Sequence, residues 1–155
     1  MNVEDLMCED VVTLHAESVL ADAEEIMGFR RFRHLPVVDG PDRRLVGLVT
    51  HRDLARAAVS SVQGGQREAL QLKARIRVRE IMHRPQTIAV DAPLHEAARQ
   101  LRQGKYGCLP VVDGDGTLVG IVTEADFVRL AEVLLRNFIG DRSGGQDALK
   151  GWLKE

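Results

Sequence analysis

The chain has 155 residues, 45% hydrophobic, 28% charged and only 4% aromatic, with a formal net charge of −2. That balance describes a globular chain with an aliphatic core and gives no general pull toward nucleic acid or anionic lipid. No run approaches the roughly 18 apolar residues of a spanning helix, the acidic start MNVEDLMCED does not read as a secretion signal, and Cys8 and Cys108 stand too far apart for a paired-cysteine motif, so a reducing, cytoplasmic setting is expected.

In chain order, a short helical turn ends at Met7 and a brief strand follows in VVTL. Leu20, Ala23 and Met27 recur at three- and four-residue steps, which predicts an amphipathic helix opened by Ser18. LPVV and LVGLV flank a Gly/Asp turn and predict a hairpin. The next helix starts at Thr50-His51-Arg52-Asp53 and continues as DLARAAV. A Gly-rich QGGQ stretch and KARIRVREIM come next; in the latter, Arg75, Arg77 and Arg79 alternate with Ile76 and Val78. The alternation reads as a solvated strand face, and without an aromatic platform beside it a nucleic-acid patch is the weaker reading.

The order then repeats. LPVVDGPDRRLVGLVTHRD, Leu35 to Asp53, returns as LPVVDGDGTLVGIVTEAD, Leu109 to Asp126, with one residue fewer in the turn. Upstream, Thr13 answers Thr87, Leu20 Leu94, Ala23 Ala97, Met27 Leu101 and Phe32 Tyr106, all 74 apart. Val3, Leu6 and Met7 answer Val78, Ile81 and Met82 at a spacing of 75, and Pro93 opens the second amphipathic helix. The final helix of this copy continues as DFVRLAEVLLRNF. The expected organisation is therefore repeat 1 over 1–62, a linker over 63–75, repeat 2 over 76–138 and a tail over 139–155. Each repeat runs β-α-β-β-α. One such unit is marginal alone, so two would pack together and share a core. In the tail, Ala148, Leu149, Trp152 and Leu153 form a short apolar face, suited to its own dimer or to an effector protein.

Two readings of the Thr-x-x-Asp steps stand side by side. Thr at a helix start with an acid three residues later is a capping box, a purely structural device. The same helix start offers free N–H groups to a phosphate, the Thr hydroxyl is a further donor, and the carboxylate could accept both hydroxyls of a ribose. Gly47 and Gly120, just upstream, would leave room for a ring or backbone to approach. Among other chemistry, His15, His34, His51, His83 and His95 form no ligand-spaced pair. No nucleophile motif is present either, so neither a structural metal nor catalysis is expected.

Paired h-P-V-V-D strands, each followed by G-h-h-T-x-x-D, resemble the CBS-domain family, here as a tandem pair or Bateman module. The resemblance implies an α+β fold: two β-α-β-β-α repeats packed sheet to sheet about a pseudo-two-fold axis. It also implies a regulatory, non-catalytic module that binds adenosine compounds (AMP, ADP or ATP, sometimes S-adenosylmethionine) in two clefts. A homodimer acting on an unidentified effector protein is implied as well. Each cleft would draw on both repeats. Thr50 and Asp53 would work with Gln86, Thr87 and the segment Tyr106–Gly107–Cys108; Thr123 and Asp126 would work with Val12, Thr13, Phe32, Arg33 and His34. Arg33 and Gly107 hold the position, three before the strand proline, that handles phosphate in relatives. Because His51 and Arg52 flank Thr50, with Arg33 expected nearby, while Glu124 flanks Thr123, the Thr50/Asp53 cleft is expected to be the better nucleotide site.

Overall fold

The structure is a computed structural model, and it describes residues 1–30, 32–59 and 66–140. The residues of the Gly-rich stretch 63–65 and of the tail beyond 140, including its apolar face, lie outside the described residues.

In the first half, β1 (Leu14–His15), α1 (Leu20–Arg30), β2 (His34–Asp39), β3 (Arg44–Thr50) and α2 (His51–Val59) follow one another. Next come α3 (Gln66–Lys73) and α4 (Val78–Ile81). The second half repeats the order with β4 (Ile88–Ala89), α5 (Leu94–Gly104), β5 (Cys108–Val112), β6 (Leu118–Thr123) and α6 (Glu124–Gly140). Each half is a three-stranded sheet, β1-β2-β3 or β4-β5-β6, whose first pair is parallel and whose second pair is an antiparallel hairpin. The α+β class and the doubled β-α-β-β-α order match the expectation.

The hairpins carry matching irregularities. The ladder shifts register between Val37 and Val38 in one and between Val111 and Val112 in the other. That leaves Val46 and Val119 as the extra residues, each next to the glycine of its strand. The turns need left-handed backbone: Gly40 and Gly116 take φ of 69° and 81°, and Arg43 takes 52°. Leu45 N–H donates to the Gly116 carbonyl at 3.2 Å and Leu118 N–H to that of Arg43 at 3.1 Å, which ties one hairpin to the other.

Three expectations need correction. The arginines do not lie on a strand face: the segment enters α4, the short helical turn that the repeat places before Met82, where Val78 is fully buried, while Arg77 and Arg79 both engage Glu17. Val78 anchors that turn in the first core, with Ile76, Ile81 and Met82 packed against it. Residues 66–73, within the expected linker, form helix α3, held to α1 by Lys73–Glu24 at 2.8 Å. Ser18 does not cap α1; the Asp22 carboxylate accepts the Val19 N–H at 3.0 Å instead, and Pro93 occupies the cap position of α5 rather than its first turn. Finally, the described buried residues form two core clusters, not one.

Those clusters exchange pieces. Val78 lies inside the first, with Leu14, Leu20, Leu35, Val37 and Val49. Val3, in a 3-10 turn over Val3–Asp5, lies inside the second, with Ile88, Ala97, Leu101, Leu109 and Val111. Each repeat's opening turn therefore completes the core of the other half. Backbone bonds fix the exchange: Val3 N–H donates to Ala92 O at 2.9 Å, and Val78 N–H to Ser18 O at 2.8 Å.

Candidate functional site: a cleft between the halves

Both Thr-x-x-Asp steps fold alike. Thr50 and Thr123 end β3 and β6, and the following residue opens a helix. Asp53 Oδ2 accepts from the Thr50 N–H at 2.8 Å and from its hydroxyl at 2.6 Å. Asp126 Oδ2 accepts from the Thr123 N–H at 2.9 Å and its hydroxyl at 2.7 Å. This is capping geometry in which the Thr proton points to the aspartate, so the hydroxyl faces a ligand as an acceptor. The second carboxylate oxygen stays outside that pair; at Asp126 it lies 3.2 Å from Arg129 Nη2.

The glycines before the threonines serve packing instead. A β-carbon on Gly120 would lie 2.5 Å from the Met7 sulfur and 3.2 Å from the Cys8 carbonyl oxygen; on Gly47 it would collide with Met82. The room read as a ligand shelf is filled by the other repeat's methionine. Cys8 and His83 follow those methionines and bridge to Ile121 and Leu48, each exchanging two backbone bonds with its strand. The leading segment thereby becomes a wall of the opposite half's cleft.

A cavity of about 350 Å³ opens at the second step, lined by Thr123 and Asp126 from one half and by Val12, Phe32, Arg33 and His34 from the other. Cys8, Asp10, Val11 and Pro36 complete the first-half wall, and Gly107, Ile121, Glu124 and Ala125 the opposite one. Its size falls in the range of about 300–1,000 Å³ typical of small-molecule pockets. Thr13 lies beside Val12 but does not line the cavity. His34 packs on the bare Cα of Gly107, where a β-carbon would come within 2.6 Å of the imidazole. Burial above all, then the Arg33 charge, lowers the His34 pKa, with His83 adding to the shift and Glu124 opposing it.

The residues assigned to the first cleft are distributed differently. Asp53 lies 3.3 Å from His83 Nδ1. Gln86, Thr87 and Tyr106 line a separate, open depression with Arg44 and Arg84, and neither Thr50 nor Asp53 borders it. Gly107 faces the Thr123 cavity, and Cys108 is buried, its thiol pushed up to about 12 by desolvation. Arg33, expected with Thr123 and Asp126 and also near Thr50, lines the Thr123 cavity, while its carbonyl accepts the His51 N–H at 3.0 Å. The charge argument that favoured the Thr50/Asp53 cleft keeps His51 and Arg52 but loses Arg33. Sequence reading also missed Cys8, Asp10 and His83. The 75-residue register that pairs Met7 with Met82 pairs Cys8 with His83, and that signal could have found two of them.

Among the described residues, no group of three His, Cys, Asp or Glu side chains is placed to hold a metal, and no helix is long and apolar enough to cross a membrane.

Two strand-to-helix Thr-x-x-Asp steps, each crossed by the leading segment of the other repeat, define a paired-repeat architecture. The CBS domain family profile matches residues 3–60 and 78–132, and the chain belongs to that family as a tandem pair. A CBS domain-containing protein of Dictyostelium discoideum is 35% identical over 83% of this chain and 89% of its own length. Homoserine O-acetyltransferase of Methanohalobium evestigatum is 30% identical over 84% of this chain, which spans only 24% of that enzyme. Among solved structures, a Vibrio cholerae protein assigned to acetoin utilization (AcuB) superposes with TM-score 0.75 at 36% identity, covering 93% of this chain and 98% of its own. CBSX2 in complex with AMP gives 0.72 at 29%, covering 86% and 97%. The CBS pair of protein MJ0100, in complex with 5′-methylthioadenosine and S-adenosyl-L-methionine, gives 0.69 at 29%, covering 85% and 96%.

Proposed function

We propose that this chain is a regulatory, non-catalytic module that binds an adenosine-containing ligand in the Thr123/Asp126 cavity and signals to an effector protein as a cytoplasmic homodimer. The observation that carries the reading is the mixed composition of that cavity. Asp126 Oδ1, which the exposed Arg129 guanidinium contacts, has lone-pair capacity left for a ribose hydroxyl, and Val12, Phe32 and Ile121 supply apolar surface for a base. A ligand touching both repeats favours the arrangement in which they close on it, by its differential affinity for that arrangement. The adenosine compounds bound by CBSX2 and by MJ0100 support the same ligand class.

Calorimetry with AMP, ATP and S-adenosylmethionine tests this on the unmodified chain and on Asp126→Ala and Asp53→Ala. The greater loss is expected from Asp126→Ala; a greater loss from Asp53→Ala would move the site to the other cleft. A ligand at 100 times its Kd adds about 2.7 kcal/mol to stability. The closed Thr–Asp capping bonds favour a second reading, a ligand-free scaffold, and absence of any thermal shift with all three compounds would select it.

A further inference from the structure

We propose that Glu124 and Asp10 make the Thr123/Asp126 cavity select an adenosine compound whose 5′ position carries an uncharged or cationic group, such as a thioether or sulfonium, over a 5′-phosphate. This rests on the adenosine reading above and specifies the ligand class of that site.

The argument is electrostatic and local. A phosphate entering beside Thr123 would approach the start of α6, whose N–H groups and positive dipole end are the usual attraction for an anion. Here that end already holds two carboxylates: Glu124 is the first residue of the helix, and Asp126 is engaged with Thr123. Asp10 adds a third acid on the opposite wall. Against these stand Arg33 on the cavity and Arg129, whose guanidinium contacts Asp126 Oδ1. Three carboxylates face two guanidiniums, one of them already paired, so a phosphate dianion meets net repulsion. The equivalent positions after Thr50 are His51 and Arg52, so the acidic character belongs to this step and not to the repeat in general. Of the remaining wall, Val11, Val12, Phe32, Pro36 and Ile121 offer a thioether group dispersion contacts, and burial favours the neutral form of His34, its one further titratable imidazole, so that ring brings no positive charge to a phosphate.

The test is calorimetry on the full chain in an Asp53→Asn background, so that only this cleft is read, with 5′-methylthioadenosine, S-adenosylmethionine, AMP and ATP. Removing two nearby like charges is worth about tenfold for a dianion. The expectation is therefore that methylthioadenosine binds about tenfold more tightly than AMP, and that Glu124→Gln with Asp10→Asn brings AMP close to methylthioadenosine. Thermal unfolding confirms that each variant is folded. AMP or ATP binding as tightly as methylthioadenosine before those changes overturns the proposal, as does a preference that survives them. If all four bind alike and Asp126→Ala abolishes them together, the adenosine reading stands and charge selection falls. If none binds, the adenosine reading itself falls, and the selection with it.

Discussion

His34 shows how one half-buried side chain couples the cleft to pH. Its imidazole rests on Gly107 between Arg33 and Glu124, and desolvation holds its pKa below the ordinary value. In the unfolded chain the same group titrates near about 6.5. Between the two values the unfolded state binds more protons, so stability rises with pH there. The contribution of neutral His34 is thus complete above its ordinary pKa and is lost as the pH falls through the lower, folded value. We expect the thermal midpoint to drop between pH 7.5 and 5, and His34→Gln to flatten that drop. An equally steep decline in the variant would assign the pH dependence to other groups. The threonine–aspartate pairs belong to the same scale: the residue types were legible from chain order, but where the hydroxyl proton points was not, because it depends on which acceptor the folded turn brings within 2.7 Å.

At the scale of elements, the two hairpins differ in how much strain their glycines relieve. The three nearest atoms to a β-carbon on Gly47 all belong to the Met82 side chain, whereas on Gly120 they include the fixed carbonyl of Cys8 beside Met7. Side chains can rotate away; a backbone carbonyl bonded into a bridge cannot do so freely. Gly120→Ala should therefore cost about 1–3 kcal/mol, in the range of overpacked cores, and Gly47→Ala less, as read from urea unfolding midpoints. Equal costs would mean that Met7 and Met82 absorb both changes. Helices α1 and α5 were readable from periodicity because each buries one face, and α2 and α6 from the Thr-x-x-Asp steps that open them. Helix α3 was not: its Leu70 and Leu72 stay substantially exposed, so no buried stripe marks it in the sequence.

Across the whole molecule, the exchange of leading turns makes each half depend on residues from the other repeat. Val3 is fully buried among Ile88, Ala97, Leu109 and Val111, more than eighty residues away in the chain. Val3→Ala should cost about 2 kcal/mol by the cavity argument, and hydrogen exchange should show the loss in α5 and β5 before α1 and β2. Val78→Ala should give the mirror result. Faster exchange confined to the first half in Val3→Ala would contradict the exchange of turns. The arrangement also joins fold to site: the segment that carries Val3 into the second core carries Cys8 and Asp10 to the cavity wall.

By itself the sequence determined the duplication, the order of elements, the hairpins and the paired helix starts, because periodicity, turn residues and repeated motifs are local properties of a chain. Which cleft holds a formed cavity, where Arg33 lies, and what fills the space above Gly47 and Gly120 were decided only by tertiary structure. The physical reason is that these features depend on which segment of one repeat crosses to the other, and identical local motifs carry no record of that crossing.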